Sequence, residues 1–246
     1  MVVKTQAQLI KKEQLSQDVY KFIFQTSDDF EYKSGQFLNF VLPVEGSTRP
    51  LRRAYSITSR PYDESRDNVL LKKQFELCIK IEPTGEFTPL LESSELGSTF
   101  EIMGPLGLFT LKDIEKSSQI QVFIAAGTGI APMRSFILDL LLNKNYQEKI
   151  ILLFGVRTQE DILFKDEFEL LAQDFSNFNF YYTLSRAHDT YVGLKGYVQD
   201  NLNILGEDIS NCRFYICGRT KMVDSVHEEL DKLEVSKELR SHEKFG

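Results

Sequence analysis

The sequence predicts two domains of different construction: an antiparallel β-barrel over residues 1–110 and an α/β domain on a parallel sheet over residues 111–246. Three observations predict it. The first hundred residues carry short stretches in which apolar side chains recur at every second position. From residue 120 onward, short apolar stretches alternate with segments whose apolar residues recur every three or four positions. The change follows Gly104-Pro105-Leu106-Gly107, which puts the boundary near residues 108–117.

In the first half, Val19 to Gln25 sets Tyr20, Phe22 and Phe24 on one face of a half-buried strand. Phe37–Leu42 and Phe75–Ile81 behave in the same way. Asp28-Asp29, Lys33-Ser34-Gly35 and the polar stretch Pro61 to Asn68 are the turns between strands. Many short strands with few helices suggest a small closed barrel.

In the second half, Ile120 to Ala125 is a short apolar strand leading into a helix with Met133, Phe136, Ile137, Leu140 and Leu141 on one face. Strand Ile150–Phe154, a helix from about Glu160, strand Phe178–Thr183 and strand Phe214–Cys217 follow. The last helix repeats Val223, Val226, Leu230 and Leu233. Such alternation requires crossover helices and a parallel sheet.

The 246 residues carry 42% hydrophobic and 26% charged side chains, enough for two ordinary cores. The net charge of −7 is spread over both halves, with no basic run to track a phosphate backbone, so nucleic acid is not an expected partner. Met1 to Leu15 alternates polar and apolar residues, unlike a signal peptide, and no apolar run reaches the length of a membrane span. Cys78, Cys212 and Cys217 suit a reducing cytoplasm, and three cysteines do not supply the four ligands of an iron–sulfur cluster. No metal site is expected. His188, His227 and His242 lack ligand spacing and are expected at the surface.

Two segments carry chemistry. Arg53-Ala54-Tyr55-Ser56 offers a planar cation for phosphate, an aromatic face and a hydroxyl, the three things a flavin nucleotide needs. Arg53 and Tyr55 share one face of an extended strand and Ser56 takes the other. A plain strand with one exposed arginine would read alike. Gly127-Thr128-Gly129-Ile130-Ala131-Pro132 joins a strand to a helix, where backbone N–H groups and the helix dipole favour an anion. Pro132 stands where the dinucleotide fingerprint has its third glycine, and proline is comfortable in a first helical turn. Alone, this too is compatible with an ordinary turn.

Taken together with Leu77-Cys78-Ile79-Lys80, Gly85-Glu86-Phe87-Thr88, Gly104-Pro105, Ser185-Arg186, Lys195-Gly196-Tyr197-Val198-Gln199, Cys217-Gly218 and Glu243-Lys244-Phe245, these segments come in one order. In that order and spacing the chain resembles the ferredoxin–NADP⁺ reductase family of flavoproteins over nearly its whole length. The resemblance implies an FAD-binding barrel followed by a Rossmann-like NAD(P)-binding domain.

It also implies roles. Arg53 binds the FAD pyrophosphate, with Ala54 beside it, Tyr55 stacks on the flavin ring, and Ser56 bonds near its N5 atom. Cys78, Ile79 and Lys80 line the FAD. Gly85, Phe87 and Thr88 form a second phosphate turn, and two phosphate segments favour FAD over FMN. Gly127, Thr128, Gly129 and Pro132 receive the nicotinamide nucleotide, with Thr128 close to both rings. Cys217 and Gly218 sit against the nicotinamide, the cysteine as a positioner with an unperturbed thiol. Glu243 is the candidate charge or proton relay, though an exposed tail glutamate is an equal reading. Phe245, two residues later, covers the flavin face.

Ser185, Arg186, Lys195, Tyr197 and Gln199 hold the adenosine end, and their spacing matches the NADPH-using branch, with NADH possible. The expected activity is hydride transfer between NADPH and flavin, and electron exchange with a separate ferredoxin or flavodoxin. The alternative is the reductase component of an oxygenase, or a free-flavin or ferric reductase. The expected state is a cytoplasmic monomer. The chain departs from relatives that end on tyrosine, since Phe245 offers no hydroxyl and precedes Gly246.

Overall fold

The computed structural model describes every residue except Met1, Val44, Glu45, Ser47, Thr48, Asp113, residues 115–118, Glu207, Asp208 and Gly246. Part of the expected boundary region 108–117 and the final glycine therefore lie outside the described residues. The chain divides into two compact units: Met1–Leu111 with Arg134–Lys144, and Lys112–Met133 with Asn145–Gly246.

The first unit holds β1 (Val3–Ser16), β2 (Val19–Thr26), β3 (Phe37–Leu42), β4 (Leu51–Ser56), β5 (Gln74–Lys80) and β6 (Thr99–Leu106), with a short helix α1 (Thr88–Ser93). The six strands form one antiparallel sheet in the order β4-β3-β6-β1-β2-β5. A bridge between Ile57 and Leu77 brings the end of β4 to β5, the opposite edge, and so curls the sheet into a barrel. Period-two patterning does the sorting: Phe22, Phe24, Leu38, Phe40, Phe75, Leu77 and Ile79 all fall in one buried core, with Tyr20 packed on it. The core is aromatic, with Phe24 stacked on Phe75 at 5.4 Å and Phe40 against Phe87 at 4.7 Å. Pairs of this kind add about 0.5–1.5 kcal/mol each beyond their burial.

Residues 134–144 complete this unit's interior. The Arg134 guanidinium, buried, donates to the Glu76 carboxylate at 2.6 Å and to the Thr58 carbonyl at 3.1 Å. Ser135 donates to the Ser59 carbonyl at 2.6 Å, and Ser34 donates to the buried Asp139 carboxylate at 2.8 Å. Each burial of charge is thereby paired.

The second unit holds β7 (Ile120–Ala126), β8 (Ile150–Val156), β9 (Phe178–Leu184), β10 (Leu194–Lys195), β11 (Cys212–Arg219) and β12 (Arg240–Phe245). All pairs are parallel, in the order β10-β9-β8-β7-β11-β12. Strands covered on both faces read as unbroken apolar runs, which is why Val122, Phe123, Ile124 and Ala125 are all fully buried. One face packs on Val198, Leu202 and Leu205 of a 3-10 segment and on Val223, Val226 and Leu230 of α4 (Thr220–Lys232).

Three expectations are corrected. The helix expected from Glu160 begins later: Gln159–Asp161 is a single 3-10 turn, and α3 runs Lys165–Asp174 after Phe164 takes a left-handed conformation. Leu233 caps α4 and is exposed, so it does not extend the buried stripe. The helix after Gly127 is α-helical over Ile130–Leu138 (α2) and finishes as a π turn over Asp139–Asn143, although all five of its expected apolar residues are buried. No helix among the described residues is long and apolar enough to cross a membrane.

Candidate functional site

In the barrel unit, β4 carries Leu51, Arg53 and Tyr55 on one face and the exposed Arg52 and Ala54 on the other. Tyr55 is half-buried, its ring 5.8 Å from Phe40 and 5.9 Å from Phe87, and burial pushes its phenol up to about 12. Ser56 ends the strand, buried opposite Phe37. The Arg53 guanidinium reaches Glu86 at 3.2 Å, so the side chain lies against the Gly85–Thr88 segment although 33 residues separate the two in sequence.

That segment is a tight turn entering α1. The Gly85 N–H is donated to the Glu82 carbonyl at 2.8 Å, and the Thr88 hydroxyl accepts from the Glu82 N–H at 2.8 Å. The first-turn N–H groups of α1 have no acceptor within the helix. A partly exposed guanidinium beside a tight turn entering a helix is a donor set suited to a pyrophosphate, and a half-buried aromatic on the same strand face is what a flavin ring packs on. The residues present fit FAD. On β5, the Ile79 side chain is in the barrel core and its backbone faces β2 opposite Tyr20, so neither is turned toward a ligand, and Lys80 pairs with Asp18 at 2.7 Å. Cys78 is buried, which pushes its thiol up to about 12.

In the parallel unit the strand order reverses at β7, whose neighbours β8 and β11 lie on opposite sides. Such a reversal opens a crevice at the carboxyl ends of the strands. Gly127-Thr128-Gly129 leaves β7 there, and Cys217-Gly218 lies at the carboxyl end of β11 there. A Cβ on Gly129 would lie 2.3 Å from the Cys217 carbonyl oxygen, so only glycine lets the turn rest on β11. Gly127 adopts φ +55°, a left-handed conformation with open space around it. Pro132 is buried in the first turn of α2.

Cys217 pairs in register with Ala125 on one side and Glu243 on the other. Its thiol is not unperturbed: burial, with the Glu243 charge adding to it, pushes it well above its ordinary value. It is held neutral at physiological pH, which suits a positioner and not a nucleophile. Glu243, weighed from sequence also as an exposed tail residue, is half-buried, and with Phe245 it belongs to β12, a hydrogen-bonded edge strand.

Ser185 and Arg186 leave β9 with their N–H groups bonded to the Val156 and Arg157 carbonyls. The register sets Lys195 beside Leu184, so Lys195 and then Tyr197, 62% exposed, reach the same edge, with half-buried Gln199 following. Arg186 lines a cleft of about 650 Å³ together with Thr158, Glu160, His188, Asp189 and Tyr191. The last five escaped the sequence reading, because a loop's side chains acquire a common cleft only once β8 and β9 are paired. Arg134 and Glu76, which fasten the chain just after Ser56, escaped it too. The available signal was an arginine on the otherwise apolar face of α2. Of the histidines, His188 and His242 are exposed as expected, while His227 is half-buried against His242.

Residues 6–111 match the oxidoreductase FAD-binding domain family and residues 123–228 match the oxidoreductase NAD-binding domain family. The chain is 33% identical over 231 residues to ferredoxin–NADP reductase B of Sorangium cellulosum, a match covering 91% of this chain and 89% of that protein. It is 32% identical over 206 residues to one subunit of the Na⁺-translocating NADH-quinone reductase of Neisseria meningitidis, covering 80% of this chain but only half of that protein's length. In fold, it superposes on a ferredoxin–NADP⁺ reductase of Neisseria gonorrhoeae with a TM-score of 0.82 at 20% identity, covering 98% of both chains. Both domain families and a relative matched along nearly its full length lead to one conclusion: the chain belongs to the ferredoxin–NADP⁺ reductase family, as an FAD- and NAD(P)-binding oxidoreductase.

Proposed function

We propose that the chain takes hydride from NADPH and passes electrons to a separate ferredoxin or flavodoxin in the cytoplasm. The observation that carries this reading is the sheet edge where Ser185, Arg186, Lys195 and Tyr197 come together: two cations, a hydroxyl and an exposed aromatic ring suit an adenosine bearing a ribose phosphate. The relative named ferredoxin–NADP reductase, matched across nearly its full length, supports it.

When bound, FAD accepts a two-electron hydride and releases electrons outward. The protein's own part is positioning. Arg53 and the Gly85–Thr88 turn would hold the pyrophosphate, which displaces the exposed Glu86 carboxylate from the guanidinium. Tyr55 would orient the ring, and Ser56 would place a hydroxyl near N5. Arg134, through the Thr58 carbonyl, keeps the chain beyond Ser56 in place. Thr128 and the neutral Cys217 would shape the nicotinamide's approach. Glu243 would hold charge or a proton beside that cysteine, and Phe245 would compete with nicotinamide for the ring.

A second reading, NADH in place of NADPH, is favoured by one observation. Glu160 and Asp189 line the same cleft as Arg186, and a carboxylate suits a ribose hydroxyl but repels a phosphate. An acidic carrier would need a local basic patch; of the cations Arg60, Arg66, Lys72 and Lys73, the first three are paired to Asp67, Asp63 and Asp29, and Lys73 donates to the Ser27 carbonyl at 2.7 Å. Specificity constants for NADPH and NADH, and rates with ferredoxin, flavodoxin, free flavin and an oxygenase component compared side by side, test the proposal. A higher constant with NADH, or fastest turnover with free flavin, would contradict it.

A further inference from the structure

The C-terminal strand β12 is held to α4 by three rungs. Arg240, His242 and Lys244 lie on one face of the strand, two residues apart. Asp231, His227 and Asp224 lie on one face of the helix at spacings of four and three. Arg240 donates to Asp231 at 2.6 Å, His227 Nε2 and His242 Nδ1 are 3.1 Å apart, and Lys244 donates to Asp224 at 2.6 Å. Two residues of strand advance about 6.7 Å and three or four of helix about 4.5–6 Å, so strand and helix stay in step over the three rungs. Arg240 adds bonds to the His227 and Val235 carbonyls. The opposite face of β12 presents Ser241, Glu243 and Phe245.

We propose that this ladder, with the His227–His242 pair as its middle rung, positions Glu243 and Phe245, and that turnover therefore depends on the pair's protonation. The inference rests on the reading that those two residues serve the site. A shared contact between two imidazoles needs one ring nitrogen to donate and the other to accept. Protonating both rings leaves two donors facing each other at 3.1 Å, between the cations of Arg240 and Lys244.

The charges facing His227 are Asp231 from its own helix and Arg240, His242 and Lys244 from β12, and only Asp231 favours the charged ring. β11 and the 198–205 segment, also packed on α4, meet it through apolar side chains such as Phe214, Ile216 and Leu202. Burial first, and these cations next, hold the His227 imidazole below its ordinary value. The sign follows: the middle rung is intact at and above the usual histidine range. It is lost as pH falls through that range toward the lowered value.

The test is NADPH-driven ferricyanide reduction by the FAD-loaded protein from about pH 8 to about pH 5.5, with backbone amide exchange of residues 240–245 across the same range. Wild-type protein loses about threefold or more of kcat toward acid while exchange at 240–245 quickens, with the flavin absorbance unchanged. His227→Gln, which keeps a donor and an acceptor but takes no proton, holds its kcat within about twofold. His242→Gln, at an exposed position, does the same and covers the case in which the helix variant folds poorly. An acid limb identical in wild type and both variants overturns the proposal, as does acid-quickened exchange without any change in kcat. Glu243→Gln and Phe245→Ala, assayed in parallel near neutral pH, report on the underlying reading by itself.

Discussion

On the proposed reading, the two units solve the same problem, holding a phosphate-bearing cofactor, by different means. The barrel unit uses a side chain: Arg53 reaches across from β4 to a turn 33 residues away, and both partners of its ion pair are well exposed. The parallel unit uses backbone: Gly127–Gly129 rests directly on Cys217-Gly218, with no room for one added carbon at Gly129. Sites built from exposed side chains can lose their ligand without losing their fold. Sites built from backbone approach cannot be altered without disturbing the sheet.

The sharpest way to break this contrast is Gly129→Ala. Its Cβ would meet the Cys217 carbonyl oxygen at 2.3 Å, and neither backbone has freedom to retreat. A loss of about 3 kcal/mol of stability is expected, read by denaturant unfolding. Gly127→Ala, which meets nothing within 4 Å but keeps a left-handed φ, should cost about 1–2 kcal/mol. Equal effects at the two positions would mean that close approach is not what glycine supplies at 129.

Arg53→Ala is the counterpart in the barrel. A charge-assisted phosphate contact is worth about 1.5–3 kcal/mol, so FAD should dissociate about tenfold or more faster. Stability of the flavin-free protein should move by less than about 1 kcal/mol, since the Arg53–Glu86 pair is exposed. Unchanged FAD retention would remove Arg53 from the phosphate site.

Buried thiols offer a test of the interiors. Burial raises Cys78 from an ordinary thiol value to about 12. A raised thiol binds its proton more tightly in the folded state, so its contribution is complete below the ordinary value and is lost as pH rises from there toward about 12. Each such group steepens the alkaline fall by about 1.4 kcal/mol per pH unit, and Cys78→Ala should show the shallower slope in unfolding measured near pH 9–10.

The smallest effect is expected at the adenosine edge. Arg186 is exposed, so Arg186→Ala should raise KM for NADPH about three- to tenfold and leave KM for NADH nearly unchanged. Equal changes for both nucleotides would assign the arginine to a part of the dinucleotide that NADH shares.

What the sequence made legible follows the same division. Strands β2, β3 and β5 and their inward faces were readable because alternation at Phe22, Phe24, Phe75 and Leu77 is a local property, and so was the apolar run of β7, whereas β1 and β6 were not read as strands. Arg53, Gly85–Thr88 and Gly127–Pro132 could be picked out as candidates because each is a short contiguous segment. What escaped depends on pairing between distant segments. β12 has the charged sequence Arg-Ser-His-Glu-Lys-Phe and no apolar signature, because it is an edge strand fastened by ion pairs to a helix. The perturbation of Cys217 comes from sheet burial and from Glu243 across the register, neither of which a single segment displays. The late start of α3 turns on Phe164 adopting a left-handed conformation, an uncommon state for a bulky side chain.

The most direct measurement is the identity and amount of the chromophore released from the purified, intact protein, compared between wild type and Arg53→Ala. The proposed pyrophosphate site at Arg53 and Gly85–Thr88 predicts FAD, close to one per chain in wild type and substantially depleted in the variant. FMN in place of FAD, or equal FAD content in both proteins, would contradict the account.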